Sequence, residues 1–279
     1  MTYMNDSKTK LLGLFADPAG HSKSPAMYNP AFEKLGFNMT YLSFQVDPST
    51  LENAIKGFKA LKMVGANISM PNKVEVIKYL DKIDKAAELI GAVNCIVNDN
   101  GTIVGYNTDG VGFCLNLKEN DIDLKDKKLT LIGVGGAGTA IAVQSALEGL
   151  RELSIFNIKD ASFEGAKDMI KRTQSSTNCK INLYDLADTE KLRSEIESSD
   201  ILTNATSIGM GRFEGKSVIP DKSYFRKDLI VTDTIYAPAI TKFIEMANEV
   251  GCKTINGEGM LKNQGKANFK LWTGNNLPE

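Results

Sequence analysis

Residues 129 to 150 read as an apolar strand, a glycine loop and a helix in immediate succession, and no other stretch limits the fold as tightly. Leu129-Thr130-Leu131-Ile132 runs straight into Gly133-Val134-Gly135-Gly136-Ala137-Gly138, and the pattern from Ala137 to Leu150 is helical. The glycine spacing is G-x-G-x-x-G. In this context the first glycine permits a tight turn and the second lets backbone approach a pyrophosphate. The third lets the helix pack close to the strand. Amide groups at the helix N-terminus then face the negative charge. A unit of this kind predicts a mainly parallel, doubly wound α/β sheet.

In such a sheet a carboxylate some 20 residues further on, at the end of the second strand, holds the ribose hydroxyls. Here the strand from Leu153 to Asn157 is followed by Ile158-Lys159-Asp160. Asp160 can accept from a ribose diol and repel a 2′-phosphate, whereas Lys159 pulls the other way. Its plainer alternative is to cap the next helix.

Strands and helices alternate through the rest of the 279 residues, a length that fits two domains at roughly 150 residues each. Strands are predicted at Leu11 to Ala16, Thr40 to Val46, Val64 to Ser69, Ile181 to Leu183, Asp200 to Asn204, Leu229 to Asp233 and Lys253 to Ile255. Ala92 to Val97 and Ile103 to Tyr106 flank Asn98-Asp99-Asn100-Gly101, a hairpin signal. Ser24 reads as an N-cap with Pro25 in the first helical position, opening a helix to about Leu35. Further helices are predicted at Leu51 to Leu61, from Pro71, from Asp109 towards Glu119, at Ile240 to Val250 and from about Gly259 to Trp272. The charged stretch Asp121 to Lys128 separates two runs of alternation and reads as the candidate domain boundary.

Composition removes several function classes. Thirty-three basic and 34 acidic residues leave a net charge of −1, without the basic field that a phosphate backbone requires. No apolar run approaches the ~20 residues of a membrane span. Met1 to Lys10 is polar and lacks a signal-peptide core. The four cysteines are dispersed and read as reduced cytoplasmic thiols, and His21, the sole histidine, makes a His/Cys zinc site improbable. The Gly215-Lys216-Ser217 triplet has Met210 where a phosphate loop needs glycine, and reads as a surface loop.

Four polar clusters lie at predicted turns of the N-terminal half: Gly20-His21-Ser22-Lys23-Ser24-Pro25, Asn67-Ile68-Ser69-Met70-Pro71-Asn72-Lys73, Gly91-Ala92-Val93-Asn94 and Asn107-Thr108-Asp109-Gly110. Each alone has a structural explanation as a cap, a turn or an exposed lysine. Together they suit a cleft outside the carboxyl ends of parallel strands. Behind the glycine loop come Asn204-Ala205-Thr206 and Gly257-Glu258-Gly259-Met260-Leu261-Lys262-Asn263-Gln264.

In this order, across about residues 11 to 273, these motifs resemble the shikimate dehydrogenase family. Ser69, the Ser69-Met70-Pro71-Asn72-Lys73 string and Leu271-Trp272-Thr273-Gly274 are most similar to its quinate/shikimate dehydrogenase branch. The resemblance implies two α/β domains around a cleft. Residues 1–109 with about 256–279 would form the substrate domain, and about 110–255 a Rossmann-type NAD(P) domain, the last helix returning to the first. It implies interconversion of shikimate and 3-dehydroshikimate, and of quinate and 3-dehydroquinate, by hydride transfer at the ring C3 hydroxyl. Ser22 and Ser24 would bind the ring carboxylate with help from Tyr236, and Ser69, Asn94 and Gln264 would hold ring hydroxyls. Lys73 and Asp109 would be the catalytic pair. Gly133 to Gly138, Asn157 to Asp160, Ser207, Thr234, Ile235, Tyr236, Ala237 and Gly257 would line the cofactor site, with no metal.

Many NADP-specific members carry arginine where this chain has Ile158, so NAD is expected to serve at least as well as NADP. The expected partners are small molecules alone, with no nucleic acid or membrane, for a monomer or homodimer. Two alternatives stay open: a same-fold dehydrogenase of another ring acid such as an aminoshikimate, and a non-catalytic sensor of cofactor and ring acid.

Overall fold

The computed structural model describes residues 5–278; the first four residues of the polar N-terminal stretch, and Glu279, lie outside it. The chain divides into two compact units. One runs to Thr108 and resumes at Gln264, and the other is Asp109–Asn263.

The first unit is built on β1 (Lys10–Ala16), β2 (Met39–Gln45), β3 (Gly65–Ile68), β4 (Lys82–Ile83), β5 (Cys95–Asp99) and β6 (Thr102–Tyr106), in the order β2-β1-β3-β5-β6-β4. β1, β2 and β3 are parallel, and the β5–β6 hairpin joins antiparallel to β3. The chain passes from β1 out to β2 and then back across β1 to β3. The strand order therefore reverses between β1 and β3, where their carboxyl-end turns adjoin. Helices α1 (Ser24–Lys34), α2 (Leu51–Ala60) and α3 (Lys85–Ile90) complete this part.

Two apolar layers cover the sheet. Phe15, Ile55, Phe58 and Ile68 pack in one, and Leu12, Tyr28, Phe32, Tyr41, Phe269 and Trp272 in the other. The last two come from α9 (Glu258–Thr273), whose Trp272 indole donates to the Ile96 carbonyl at 3.1 Å. A Cβ at Gly65 would overlap that indole, so glycine is required there.

The second unit carries β7 (Lys128–Ile132), β8 (Glu152–Asn157), β9 (Lys180–Asp185), β10 (Ile201–Asn204), β11 (Ile230–Asp233) and β12 (Lys253–Ile255), in the order β12-β11-β10-β7-β8-β9. Every pair is parallel. The chain steps outward from β7 to β9 and restarts beyond β7 at β10. This is the doubly wound dinucleotide topology, with its reversal between β7 and β10. Helices α4 (Asp109–Glu119), α5 (Gly136–Leu147), α6 (Ala161–Gln174), α7 (Thr189–Glu197) and α8 (Lys242–Val250) connect the strands. The charged stretch 121–128 lies within this unit, so the division falls at Thr108/Asp109, before α4, rather than at that stretch.

Local expectations are corrected at two places. The α1 cap falls at Lys23 rather than Ser24, because the Ser22 hydroxyl accepts the Ser24 amide at 3.2 Å and turns the chain one residue early. No helix opens at Pro71. There the Asn72 amide returns to the Ser69 carbonyl and its side chain donates to the Val46 carbonyl at 2.6 Å. Only a 3₁₀ turn at Glu75–Tyr79 follows. Helices α3 and α7, for which the sequence gives no stated expectation, are capped by Asp84 and Asp188, and α6 by Asp160, the plainer alternative for that residue, each accepting backbone amides. Among the described residues no helix is long and apolar enough to cross a membrane, and no group of potential ligands is suited to a metal ion.

Candidate active site

In the first unit, the turns after β1 and β3 are tied together. The Asp17 amide donates to the Met70 carbonyl at 3.1 Å, and the Ser69 amide to the Phe15 carbonyl at 3.0 Å. This places the Ser22–Ser24 turn and the Ser69–Lys73 turn at one end of the sheet. The Lys73 carbonyl accepts the Val93 amide at 2.8 Å, so its backbone is fixed while the side chain is half-buried. Because β5 runs antiparallel to β3, Asn94 lies just before β5 at the same end. Thr108, just after β6, reaches it there.

Asn94 is buried and oriented. Its carboxamide oxygen accepts the Thr108 amide at 2.9 Å and lies 3.1 Å from the Thr108 hydroxyl, which in turn reaches Asn268 Oδ1 at 2.7 Å. A second chain of bonds runs from the Tyr41 hydroxyl to Asn67 Oδ1 at 2.7 Å, and from Asn67 Nδ2 to the Asn94 carbonyl at 3.3 Å. Burial pushes the Tyr28 and Tyr41 phenols far above their ordinary range, so both remain neutral donors. Sequence reasoning assigned no role to Tyr41, Asn67, Thr108 or Asn268. Asn67 and Thr108 lay inside recognised motifs. Asn268 is four residues after Gln264, hence on the same helix face, and that spacing was the available signal.

In the second unit, β7 ends in the glycine loop. Gly133 has φ +94°, which favours glycine, and a Cβ at Gly138 would overlap the Gly133 carbonyl oxygen. At Gly135 and Gly136 a Cβ would meet nothing within 4 Å. Helix α5 starts at Gly136 with no side-chain cap, so its first amides have no partner within the helix. An open, glycine-lined helix N-terminus with unsatisfied donors suits a pyrophosphate.

Asp160, at the turn after β8, caps α6. Its Oδ1 accepts the Ser162 and Phe163 amides at 3.0 and 3.1 Å and the Ser162 hydroxyl at 2.6 Å. The Ser162 hydroxyl first, with the backbone amides and Asn157, holds its carboxyl below the usual range despite partial desolvation. An ionised carboxylate at this turn is what a ribose diol needs and a 2′-phosphate avoids. Ile158 is 58% exposed, offering that turn no charge, while Lys159 pairs with Asp185 at 3.1 Å.

Across the strand-order reversal, Asn204 accepts the Thr206 amide and hydroxyl at 3.0 and 2.8 Å, shaping the turn that exposes Ser207. After β11, Ile235 is buried and Tyr236 exposed, and the Gly257 amide donates to the Ile235 carbonyl at 2.9 Å. A Cβ at Gly257 would overlap the Thr234 carbonyl, which explains the glycine. Asp109 is the first residue of α4. Ser22, Ser24, Ser69, Lys73 and Asn94 thus lie in the first unit, with Gln264 on α9, while the glycine loop, the Asn157–Asp160 turn, Ser207, Tyr236, Gly257 and Asp109 lie in the second.

Comparison with known proteins follows this division. The family model for the shikimate dehydrogenase substrate binding domain matches residues 14–96. A shikimate dehydrogenase (NADP(+)) of Listeria innocua is 47% identical over 270 residues, which cover 97% of this chain and 93% of the relative. The structure of a shikimate 5-dehydrogenase from Listeria monocytogenes, in complex with shikimate and NAD, is similar at a TM-score of 0.97 and 46% identity, covering 100% of this chain and 96% of that one. A ligand-free 5-ketofructose reductase of Gluconobacter sp. strain CHM43 is similar at a TM-score of 0.86 and 32% identity, covering 98% and 96%.

Proposed function

The chain belongs to the shikimate dehydrogenase family, and from that membership we propose that it interconverts shikimate and 3-dehydroshikimate, and quinate and 3-dehydroquinate, using NAD or NADP. The observation that carries the reading is that both reversals of strand order hold the family's ligand residues. Ser22, Ser24, Ser69 and Lys73 flank the β1/β3 reversal, and the glycine loop with Asn204-Ala205-Thr206 flanks the β7/β10 reversal.

NAD or NADP, when held here, would supply the hydride chemistry at the ring C3 carbon. The backbone of Gly133 to Gly138 would hold its pyrophosphate, the Asn157 to Asp160 turn its ribose, and Ser207, Thr234, Ile235, Tyr236, Ala237 and Gly257 its other half. Ser22 and Ser24 hydroxyls donate to the ring carboxylate, assisted by Tyr236, while Ser69, Asn94 and Gln264 hold ring hydroxyls. In ketone reduction the developing alkoxide needs a proton donor or positive charge within hydrogen-bond reach. The Lys73 ammonium supplies both. The Asp109 carboxylate, at the catalytic position of the family's motif, would accept from the neighbouring hydroxyl, and in alcohol oxidation these two residues would receive the proton.

The reading extends to a cytoplasmic monomer or homodimer acting on small molecules alone. Four free cysteines support the cytoplasmic placement, and a net charge of −1 supports small-molecule rather than nucleic-acid partners. The test crosses shikimate and quinate with NAD and NADP, following reduced cofactor by absorbance, with an aminoshikimate and 5-ketofructose as comparison substrates. Turnover of a comparison substrate at higher kcat/KM than either ring acid overturns the substrate assignment. Tight ligand binding without turnover points instead to a sensor.

A further inference from the structure

Two turns of the second unit meet on one buried carboxylate. Asp233 ends β11 and is 3% exposed. Its Oδ1 accepts the Ile235 amide at 3.0 Å and Asn204 Nδ2 at 3.1 Å, and its Oδ2 accepts the Thr241 hydroxyl at 2.7 Å. Ile235 lies near the start of segment 234–240, and Thr241 closes that segment by capping α8 through the Ile244 amide. Asn204 in turn donates to the Ile208 carbonyl at 3.1 Å. One side chain therefore fixes the turn after β10 and both ends of the turn after β11.

A group that receives three donors must be an acceptor on both oxygens. Burial pushes the Asp233 carboxyl up, opposed by bonds from Ile235, Thr241 and Asn204. A buried carboxylate is a costly way to fill space, and here it is retained with three donors that an apolar residue would leave unpaired. What the carboxylate adds is geometry. The topology says where that geometry is used: the glycine loop and the Asp160 turn follow β7 and β8, one mononucleotide half of the sheet. The turns after β10 and β11 belong to the other half, across the reversal.

We propose that Asp233, acting through Ile235 and Thr241, is a positioning residue that sets segment 234–240 for the nicotinamide half of the cofactor. The inference rests on the dehydrogenase reading above. Asp233 itself contacts neither cofactor nor substrate in this role.

The test compares NAD with ADP-ribose, which lacks the nicotinamide, by calorimetric titration of the full-length protein, a readout that needs no turnover. Wild-type turnover of the ring acids, measured alongside, judges the function separately. Thr241→Val should weaken NAD about tenfold and lower kcat about ten- to a hundredfold, with ADP-ribose binding changed by no more than about twofold. Thr241→Ser, which keeps the hydroxyl, should restore both. Asp233→Ala should exceed Thr241→Val in the same direction; if it fails to fold, the Thr241 pair decides alone. Equal weakening of NAD and ADP-ribose, or no change in NAD affinity on loss of the Thr241 hydroxyl, overturns the proposal. If the variants change NAD and ADP-ribose binding as expected while the wild type turns over none of the ring acids, the positioning role stands and the substrate assignment falls.

Discussion

The Val134 amide donates to the Asn157 carboxamide oxygen at 3.1 Å, so the loop after β7 is tied to the turn after β8 by one side chain. The nitrogen of that carboxamide reaches the Ile158 carbonyl at 2.8 Å, Ser162 Oγ at 2.9 Å and Asp160 Oδ1 at 3.1 Å. Asn157 thereby fixes the spacing between the residues assigned to pyrophosphate and those assigned to ribose. Replacing it with leucine leaves the buried Val134 amide unpaired, a loss of about 1–3 kcal/mol. Asn157→Leu is expected to raise the Kd of NAD and of NADP together, with the KM of the ring acid little changed. Calorimetric titration with both cofactors checks this, and unchanged affinity for both contradicts it.

Cofactor choice turns on the same turn. The Asp160 carboxylate and the uncharged Ile158 favour NAD, so NAD should be used at least as well as NADP. Arginine at 158 would give a bidentate phosphate partner, and threonine at 160 retains a capping oxygen for α6. Ile158→Arg with Asp160→Thr should shift kcat/KM towards NADP without loss of the fold. A wild type favouring NADP by more than about tenfold would show that Asp160 acts only as a helix cap.

Lys73→Ala should lower turnover by at least ~10², because a positioned acid–base group contributes about that much, while cofactor affinity stays nearly constant. Ser22→Ala and Ser24→Ala should instead raise the KM of the ring acid, each removing a charge-assisted bond worth roughly 1.5–3 kcal/mol. Steady-state kinetics separates the two patterns. Near-normal turnover in folded Lys73→Ala removes that residue from the chemistry.

Much of this was legible because the demands are local. Gly133 needs its positive φ, and Gly138 leaves no room for a side chain against Gly133, so both conditions are written within six residues of sequence. The substrate turns were legible as clusters, but not as a bonded network. Thr108 meets Asn268 across 160 residues, and Asp233 meets Asn204 only because β10 and β11 are neighbours. The missing helix at Pro71 has the same origin: distant partners at Val46 and Val93 outweigh a local helix-start signal.

Acid stability should depend on Glu195. Burial opposes its charge, but bonds from Lys128, Lys191 and Ser154 outweigh it and hold the carboxyl at about 2, against an ordinary 4.5. Lys128 Nζ lies 2.6 Å from one carboxylate oxygen and Lys191 Nζ 2.6 Å from the other. Since the folded value is the lower one, the stabilisation is complete above the unfolded value and drains as pH falls towards 2, a total on the order of 3 kcal/mol. Urea unfolding at stepped pH should show this loss, and Glu195→Gln should flatten it. An equal acid slope in the variant assigns the loss to other carboxylates.

The central claim is hydride transfer from the ring C3 position, and shikimate carrying deuterium at C3 tests it most directly. With NAD or NADP, the protein should place one deuterium in each reduced cofactor formed, as mass spectrometry of the product reads, with a slower rate of the chemical step than for unlabelled shikimate. Retention of the label on the ring, or its release into water while cofactor is reduced, would contradict the account.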